Sequence, residues 1–473
     1  MNNKFLLLIV LQFLLLFNSQ ATHIRGGEIR IIQEDPNSLE CKVVFTGWRD
    51  AESGVEFGYG FLDFGDGTVI ETRPNEFEIN NISYIDFLQK VELTVYHTFP
   101  DHGQYVISYT EQNRNDFLEN ISGGYSVDIP FYIESMFSLI HGQRYESPVF
   151  NLDQSNFYYF PGNLNLSMGG YDPNNYRLYY SFVEPKQGKN SPVPNYHFLD
   201  SLKINHVSGH LSWNGYVEDL LPQGLLDQRE FSAAIKVYQF DQFDNIVGYV
   251  IRDFNIITLE NEPVILNNGK INQFEMHLGE GEVQTKEVLI EYIGGTVETQ
   301  LISELFQYEN NISYTIENST VNDTTYHKIK ITITNAEQIS RDLPYIVSLR
   351  TEVTKWDSDF QKSASFLDDH TIAVFTNDNY VDKDLNTILS LDDQFNSQFL
   401  AFPNPAREYL NFKSNNSLEG TLTIYNIQGQ FIRSISINHP VKIDIRSLKN
   451  GNYIGIITNQ TGIVDKFKFI KED

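Results

Sequence analysis

The chain has 473 residues, 41% of them hydrophobic and 20% charged, enough for about three or four domains of ~100–200 residues each. With 34 Lys and Arg against 62 Asp and Glu the formal charge is −28, a field that repels phosphate backbones and anionic lipid surfaces and so argues against nucleic-acid binding. Cys41 is the single cysteine, which excludes an intrachain disulfide and a thiolate-built zinc or iron–sulfur site within one chain.

Residues 1–21 read MNNKFLLLIVLQFLLLFNSQA. Lys4 precedes an apolar run over 5–17, and the small-residue pattern Ser19-Gln20-Ala21 follows it. The run is shorter than the ~20 residues that span a bilayer and has the three-part layout of a secretory signal peptide. Cleavage is expected between Ala21 and Thr22; a retained membrane anchor is the competing reading. No later stretch reaches membrane length, so no transmembrane helix is expected in the mature chain.

From residue 22 on, apolar residues alternate over short runs separated by Gly, Asn, Asp and Pro. Lys42-Val-Val-Phe-Thr46, Val91-Glu-Leu-Thr-Val-Tyr96 and Tyr105-Val-Ile-Ser-Tyr109 carry the strand period of two. So do Phe231-Ser-Ala-Ala-Ile-Lys-Val-Tyr238, His327-Lys-Ile-Lys-Ile-Thr-Ile-Thr334 and Tyr345-Ile-Val-Ser-Leu-Arg-Thr351. Helical periodicity is confined to 86–89 and 298–303. Together with 34 Phe and 27 Tyr, this predicts an all-β chain of sandwiches rather than an α/β fold. Cuts are expected near 140, at the acidic, proline-marked joint 259–263, and across the polar, Asp-rich stretch 377–398. The segments are then 22–140, 141–260, 261–376 and 399–473, with 377–398 as an acidic linker.

Motifs of known chemistry are scarce. The sequence holds no His-Glu-x-x-His, Gly-x-Ser-x-Gly, Walker or Rossmann pattern, and no enzyme is expected. Gly58-Tyr-Gly60 lacks the third glycine of a dinucleotide loop and reads as a turn. His206 and His210 have a metal spacing only on a helix, which Gly209 and the strand ending at Trp213 oppose. His97 and His102 are expected to stabilise a turn with Asp101, and Cys41 to be a small buried residue. Asp63 and Asp66 form an acidic turn pair whose carboxylates are expected to hydrogen-bond the turn backbone. Weak calcium binding there or at Asp241-Gln-Phe-Asp244 is the alternative, although one pair falls short of the six to eight oxygens calcium prefers. No other cofactor is expected. Tyr158-Tyr-Phe160 and Tyr179-Tyr180 could stack on sugars, with core packing the competing role. A glycosidase acid pair cannot be seen in sequence, because its signature is a separation in space.

Two resemblances add to this reading. Thr22-His-Ile-Arg-Gly-Gly-Glu-Ile29 resembles the mature start of large surface proteins of gliding Bacteroidota, which leads into a PKD-like sandwich. Leu62-Asp-Phe-Gly-Asp-Gly-Thr68 is similar to the PKD turn and places Asp63, Gly65, Asp66 and Gly67 in it. Tyr96-His-Thr-Phe-Pro100, Gly103-Gln-Tyr105 and Glu111-Gln-Asn-Arg-Asn115 follow in the family's order. Asp172-Pro173, Arg177-Leu-Tyr-Tyr-Ser-Phe182 and Pro185-Lys-Gln-Gly-Lys189 resemble the family's second domain. Gly209-His-Leu-Ser-Trp213 resembles a strand of cadherin-like bacterial sandwiches, while Asp172-Pro-Asn-Asn-Tyr176 lacks the carboxylates of the calcium-type signature found there. The resemblance implies a PKD-like domain at 22–140, a cadherin- or Ig-like domain at 141–260 and an Ig-like domain at 261–376.

The second resemblance covers 399–473. Phe402-Pro-Asn-Pro405, Glu408-Tyr-Leu-Asn-Phe412, Leu422-Thr-Ile-Tyr-Asn-Ile-Gln-Gly-Gln430, Ile443-Asp-Ile-Arg-Ser-Leu448, Gly451-Asn-Tyr453 and Lys466-Phe-Lys-Phe-Ile-Lys471 occur in this order. The set resembles the type A C-terminal sorting domain of the type IX secretion system, a small seven-stranded sandwich. It implies that Pro403, Asn404, Pro405, Gly429, Gly451, Tyr453, Lys466 and Lys468 belong to the sorting signal. It also implies as partners the secretion machinery and its sortase-like protease, with release of the passenger or attachment to lipopolysaccharide. The proline pair keeps the approach to the first strand extended, and Gly429 and Gly451 suit tight turns. The expected function is a secreted or surface-attached adhesion or structural protein that meets glycan, lipopolysaccharide or neighbouring cells. A carbohydrate-binding accessory protein and a glycoside hydrolase are the alternatives.

Overall fold

The computed structural model describes residues 24–50, 56–83, 88–121, 126–140, 142–153, 157–159, 164–213, 228–242, 244–259, 265, 272–357, 362–383, 399–402, 406–414, 419–426, 431–438, 442–459 and 462–471. Within these the regular elements are strands and short 3-10 turns, so the chain is all-β. The six runs of period-two alternation lie inside the strands Glu40–Asp50, Leu88–Thr98, Gly103–Glu111, Gln228–Phe240, Thr324–Thr334 and Tyr345–Asp357. One helical exception is corrected: 298–303 falls almost wholly in the strand Thr296–Ile302, paired with Tyr345–Asp357. Pairing and the alternating Thr, Glu and Gln of that stretch outweigh its weak helical spacing. In the other, residues 84–87 lie outside the described residues and Leu88 begins a strand.

Contacts divide the chain into two compact units: Met1–Phe240 with Ile246–Tyr380, and Asp241–Asn245 with Val381–Asp473. The spine of the first unit is a long antiparallel hairpin, Gln228–Phe240 and Ile246–Leu259, in register from Gln228↔Leu259 to Phe240↔Ile246. Along its outer side Ile246–Leu259 pairs in turn with Phe131–Leu139, with Ile24–Ile32 and, in parallel, with Phe157–Tyr159. The resulting sheet crosses the cut expected near 140.

Because successive side chains alternate between faces, the hairpin serves two cores. Ala234 and Ile251 enter a core with Ile29, Ile31, Phe45, Phe64, Tyr109 and Phe137. Phe231, Ala233, Ile235, Val237, Phe254 and Ile256 enter another with Leu164, Leu166, Leu211 and Trp213. Burial on both faces explains why Ala233, Ala234 and Ile235 follow one another inside a stretch that otherwise alternates.

A third sandwich in the same unit packs Gln273–His277, Lys362–Phe375, Tyr345–Asp357 and Thr296–Ile302 against Val283–Ile293, Thr324–Thr334 and Ile312–Val321. Val288, Ile290, Ile329, Ile331, Ile333, Val347 and Leu349 fill it. Its seam with the second core is polar. Ser167 meets Ser348 at 2.7 Å, Asn151 Nδ2 donates to Ser348 at 3.0 Å, and the Ser167 N–H donates to Asp369 at 2.9 Å. Arg350 holds Asp369 through two bonds of 2.8 Å.

In the second unit a three-stranded sheet, Phe399–Phe402, Tyr409–Ser414 and Lys442–Asp444, accompanies a four-stranded one, Phe431–Asn438, Glu419–Asn426, Gly451–Asn459 and Gly462–Lys471. Their shared core contains Leu410, Leu422, Ile424, Ile443, Ile445, Tyr453 and Phe469.

Candidate functional site

The motif over residues 22–29 acquires a physical role from Ile24 on. Gly27 lies opposite Asp253 of the hairpin, and a Cβ there would meet the Thr46 carbonyl at 3.0 Å and the Phe131 ring at 3.1 Å. Its charged neighbours are buried and paired. Arg25 Nη2 contacts Asp50 at 2.9 Å and Glu230 at 3.3 Å, and Glu28 accepts from Arg252 Nε at 2.6 Å. Arg114, from the Glu111-Gln-Asn-Arg-Asn motif, forks onto Asp253 at 2.7 and 3.1 Å and lies over the Phe131 ring. The motif therefore clamps the first strand and a loop onto the hairpin, with buried charges that demand their partners.

At the turn of residues 62–68, Asp63 Oδ1 accepts from the Gly65 N–H and Asp66 Oδ1 from the Thr68 N–H, each at 2.8 Å. Gly65 has φ +78, and a Cβ there would strike the Val106 carbonyl at 2.4 Å. Gly67 also has positive φ. Asp66 Oδ2 meets His97 Nε2 at 2.7 Å, and the His97 ring stacks on Phe64 with centroids 4.0 Å apart. Burial pushes the Asp66 carboxyl up, but His97 and Thr68 outweigh it and hold it below the usual carboxylate value. Both carboxylates are thus engaged with the turn. The turn at Asp241 is similar: its carboxylate accepts from the Asn245 N–H and side chain at 2.8 and 2.9 Å. At Asp172 one oxygen accepts from the N–H groups of Asn174 and Tyr176, and the other from Gln239 Nε2 at 2.5 Å. Burial raises the Asp172 carboxyl to about 6.

The remaining candidates are dispersed. His206 stacks on Tyr179. His210 begins the strand His210–Trp213 and bonds Thr371 at 3.0 Å and Asn165 at 3.3 Å; burial lowers it to about 4. The His102 N–H donates to Asp101 at 2.7 Å. Cys41 is buried, which pushes its thiol up to about 12 and leaves it an unreactive core residue. Tyr179 and Tyr180 are buried. The Phe157–Tyr159 strand pairs with the hairpin, while the side chains of Tyr158 and Tyr159, and the whole of Phe160, lie outside the described residues. Among the described residues, no three or more His, Cys, Asp or Glu gather as a metal site.

Two polar sites escaped sequence reasoning. Asp368 and His370, on neighbouring core-facing positions of Lys362–Phe375, are buried with Asp368 Oδ2 3.8 Å from His370 Nδ1. Asn272 Nδ2 donates to Asp368 Oδ1 at 2.6 Å. Burial and then the charge of Asp369 push the Asp368 carboxyl up to about 8, whereas burial, aided by His210 and Lys286, takes His370 down to about 3. The second site is a crevice lined by Tyr171, Asp172, Tyr176, Arg177, Arg341 and Tyr380. Arg341 there pairs with Glu304 at 2.8 Å and lies 3.5 Å over the Tyr345 ring. The crevice has no local sequence signal, since it joins positions far apart in the chain, and Asp368 and His370 give none because only the fold buries them.

In the C-terminal domain, Gly451 starts the strand Gly451–Asn459. The Tyr453 hydroxyl donates to the Lys449 carbonyl at 2.7 Å, and its ring stacks on Phe469 at 5.4 Å. Tyr453 therefore anchors the turn before its own strand. Lys466 and Lys468 lie opposite Ile456 and Ile454 in Gly462–Lys471. Pro403, Asn404, Pro405 and Gly429, and the cleavage pair Ala21 and Thr22, lie outside the described residues. A basic, aromatic surface was missed: Lys442 Nζ sits 3.8 Å and the Arg446 guanidinium 5.4 Å from the centre of the Tyr409 ring. Charge could have flagged it. Residues 399–473 hold nine Lys and Arg against six Asp and Glu, a net of +3, while the rest of the chain holds 25 against 56, a net of −31.

With this geometry in place, the comparisons with known proteins fall into line. Residues 400–472 match the family described as the secretion system C-terminal sorting domain, and the seven strands of the second unit are that domain. A tail of this kind marks the chain for export by the type IX secretion system, to the cell surface or beyond it, and makes that machinery its partner. Among the described residues no helix is long and apolar enough to cross a membrane. No curated protein matches the chain.

Proposed function

We propose that the mature chain is a non-catalytic surface protein that presents rigid β-sandwich modules for adhesion or structural support, and that its last domain is the export label. The observation that carries this reading is the locking of the first unit. Two cores share one hairpin, and a third is joined to them through the bonds of Ser167 to Ser348 and Asp369 and of Asn151 to Ser348. A body tied by buried, directional bonds transmits load without unravelling at its joints, which suits contact between surfaces. The PKD-like and Ig-like resemblance supports the same role, with no cofactor required because Asp63 and Asp66 are already satisfied within their turn. The partners on this reading are a surface glycan, lipopolysaccharide or a neighbouring cell.

The Tyr171, Tyr176 and Tyr380 crevice favours a second reading, a carbohydrate-binding accessory protein. One experiment tests both. Cells producing the full chain are compared with cells producing a chain that lacks 399–473, for surface-exposed protein and for attachment to cells, abiotic surfaces and isolated polysaccharides. The full chain should appear outside the cell and promote attachment to cells or surfaces, and the truncated chain should remain in the periplasm, folded and without effect. Attachment to isolated polysaccharide alone would favour the second reading, and no attachment of any kind would remove both.

A further inference from the structure

The three-stranded sheet of the third sandwich has two edge strands, and they are built differently. Val283–Ile293 carries Lys286, Glu287 and Glu291, and its end is bridged by Ile265 to Tyr292. Ile312–Val321, ISYTIENSTV, has one charge in ten residues, no Pro, Lys or Arg, and no bulge: its register with Thr324–Thr334 runs unbroken from Ile312↔Ile333 to Val321↔Thr324. Nine of its ten residues are exposed. A long, flat, nearly neutral edge without the usual protective devices is a template for another strand.

Its inner face points the same way. Tyr314 and Ile316 lie opposite the buried Ile331 and Ile329 and so share the core-facing side of the sheet. They nevertheless stay 42% and 41% exposed. The facing sheet stops short of them: Thr299, on its outermost strand, bonds His327 of the central strand Thr324–Thr334 at 2.7 Å. The margin of the core beyond His327 is left open.

We propose that the Ile312–Val321 edge docks a second copy of this chain, the two edge strands pairing antiparallel about a two-fold axis at Ile316. Each three-stranded sheet then becomes half of a continuous six-stranded sheet, in the self-complementary manner of a two-fold interface. On the core side Ile316 meets the Ile316 of the copy, and Tyr314 meets Asn318. On the outer side Ser313 faces Ser319 and Thr315 faces Glu317. Charge selects this register. An axis at Glu317 would set the two carboxylates directly opposite one another, which destabilises a strand pair. With the axis at Ile316, each Glu317 stands between its own Lys328 and the copy's Thr315, whose neighbour in turn is Lys330. Two strand spacings of about 4.8 Å separate Glu317 from that Lys330, within reach of the two long side chains. In a chain of charge −28, this edge is a place where two copies meet without stacking like charges.

The test is the association state of the full mature chain, followed by sedimentation and by hydrogen exchange over a dilution series. A reversible dimer is expected, with the amides of 312–321 protected at high concentration and exposed on dilution. Ile316→Lys, at a half-exposed position that leaves the monomer folded by circular dichroism, should weaken dimerisation at least ~10-fold by placing two ammonium groups at the axis. Glu317→Lys should weaken it as well, whereas Val283→Lys, on the opposite edge, should not change it. A chain that stays monomeric at all concentrations overturns the proposal. So does a dimer indifferent to Ile316→Lys, or one that Val283→Lys dissolves equally.

Discussion

Arg114, Arg252 and Arg350 in the first unit are each at most 9% exposed and hold Asp253, Glu28 and Asp369 at 2.6–2.8 Å. In the C-terminal domain Arg446 and Asp444 are just as close, at 2.5 Å, but about half of each side chain is in water. The same pair of chemical groups has a different role in the two regions. A buried guanidinium without its carboxylate is an uncompensated charge in a low-dielectric interior, so the pair dictates which segments must meet. An exposed pair is screened and replaceable by water. Arg114 and Arg252 use charge to fix the meeting of segments far apart in the chain, while Arg350 and Asp369 tie two paired strands. The tail relies on a small core of aliphatic side chains with Tyr453 and Phe469, and its exposed pair does not decide which strands meet.

The strongest test of this contrast is Arg114→Ala. It should destabilise the first unit by ~3–5 kcal/mol in denaturant titrations by stranding Asp253, while Asp444→Ala leaves the melting of the tail unchanged. Replacing Arg114 and Asp253 together by Met and Leu should recover most of the loss; failure to recover would mean that packing, not charge, holds the segment.

Asp368→Asn comes next. The folded unit keeps a proton on Asp368 up to about pH 8, whereas the unfolded chain releases it near 3.8, the ordinary aspartate value. Stability therefore falls as pH rises between those two values. His210 and His370, held at about 4 and about 3, act in the opposite sense: they cost stability as pH falls below 6.5. Above pH 6.5 the two histidines no longer oppose it. There the variant should be more stable than the wild type, by ~2 kcal/mol at pH 8, in urea unfolding with pH as the variable. An unchanged slope would show the carboxyl to be ionised in the folded state.

The smallest effect belongs to Asp66→Ala, which removes the bonds to Thr68 and His97 and should cost ~1–2 kcal/mol at neutral pH. Since the folded carboxyl lies below its ordinary value, the contribution is present above the unfolded value and is lost as pH falls through the folded one. The difference between variant and wild type should accordingly shrink in strong acid. Calcium titration of the wild type should leave the melting temperature unchanged if the carboxylates are as fully used as their bonds imply.

Local pattern carried the strands and the sorting domain well, because a period of two and an ordered set of turn residues are properties of neighbours in sequence. Thr296–Ile302 was misread because seven residues with mixed polar spacing satisfy helix and strand patterns alike until a partner strand is known. The hairpin's double burial was not legible, because the run 231–238 reads as an alternating strand and not as a segment shared by two cores. Glu28 and Arg114 stood inside motifs that suggested a family, yet their ion pairs depend on Arg252 and Asp253, more than a hundred positions away. Asp368 and His370 gave no signal, since polar residues in a strand ordinarily face solvent.

Glu28 and Arg252 are 224 positions apart, and Gly27 takes its strand partner from Asp253. A chain that emerges from its N-terminus thus presents the strand Ile24–Ile32 long before half of its pairing exists. Closing so long a loop is costly in entropy and slow. Until the hairpin arrives, the first core lacks a wall and its charged clamps lack their counter-ions. The passenger is consequently pliable while its middle is still to come, and its first core closes only once the hairpin up to residue 259 is in place.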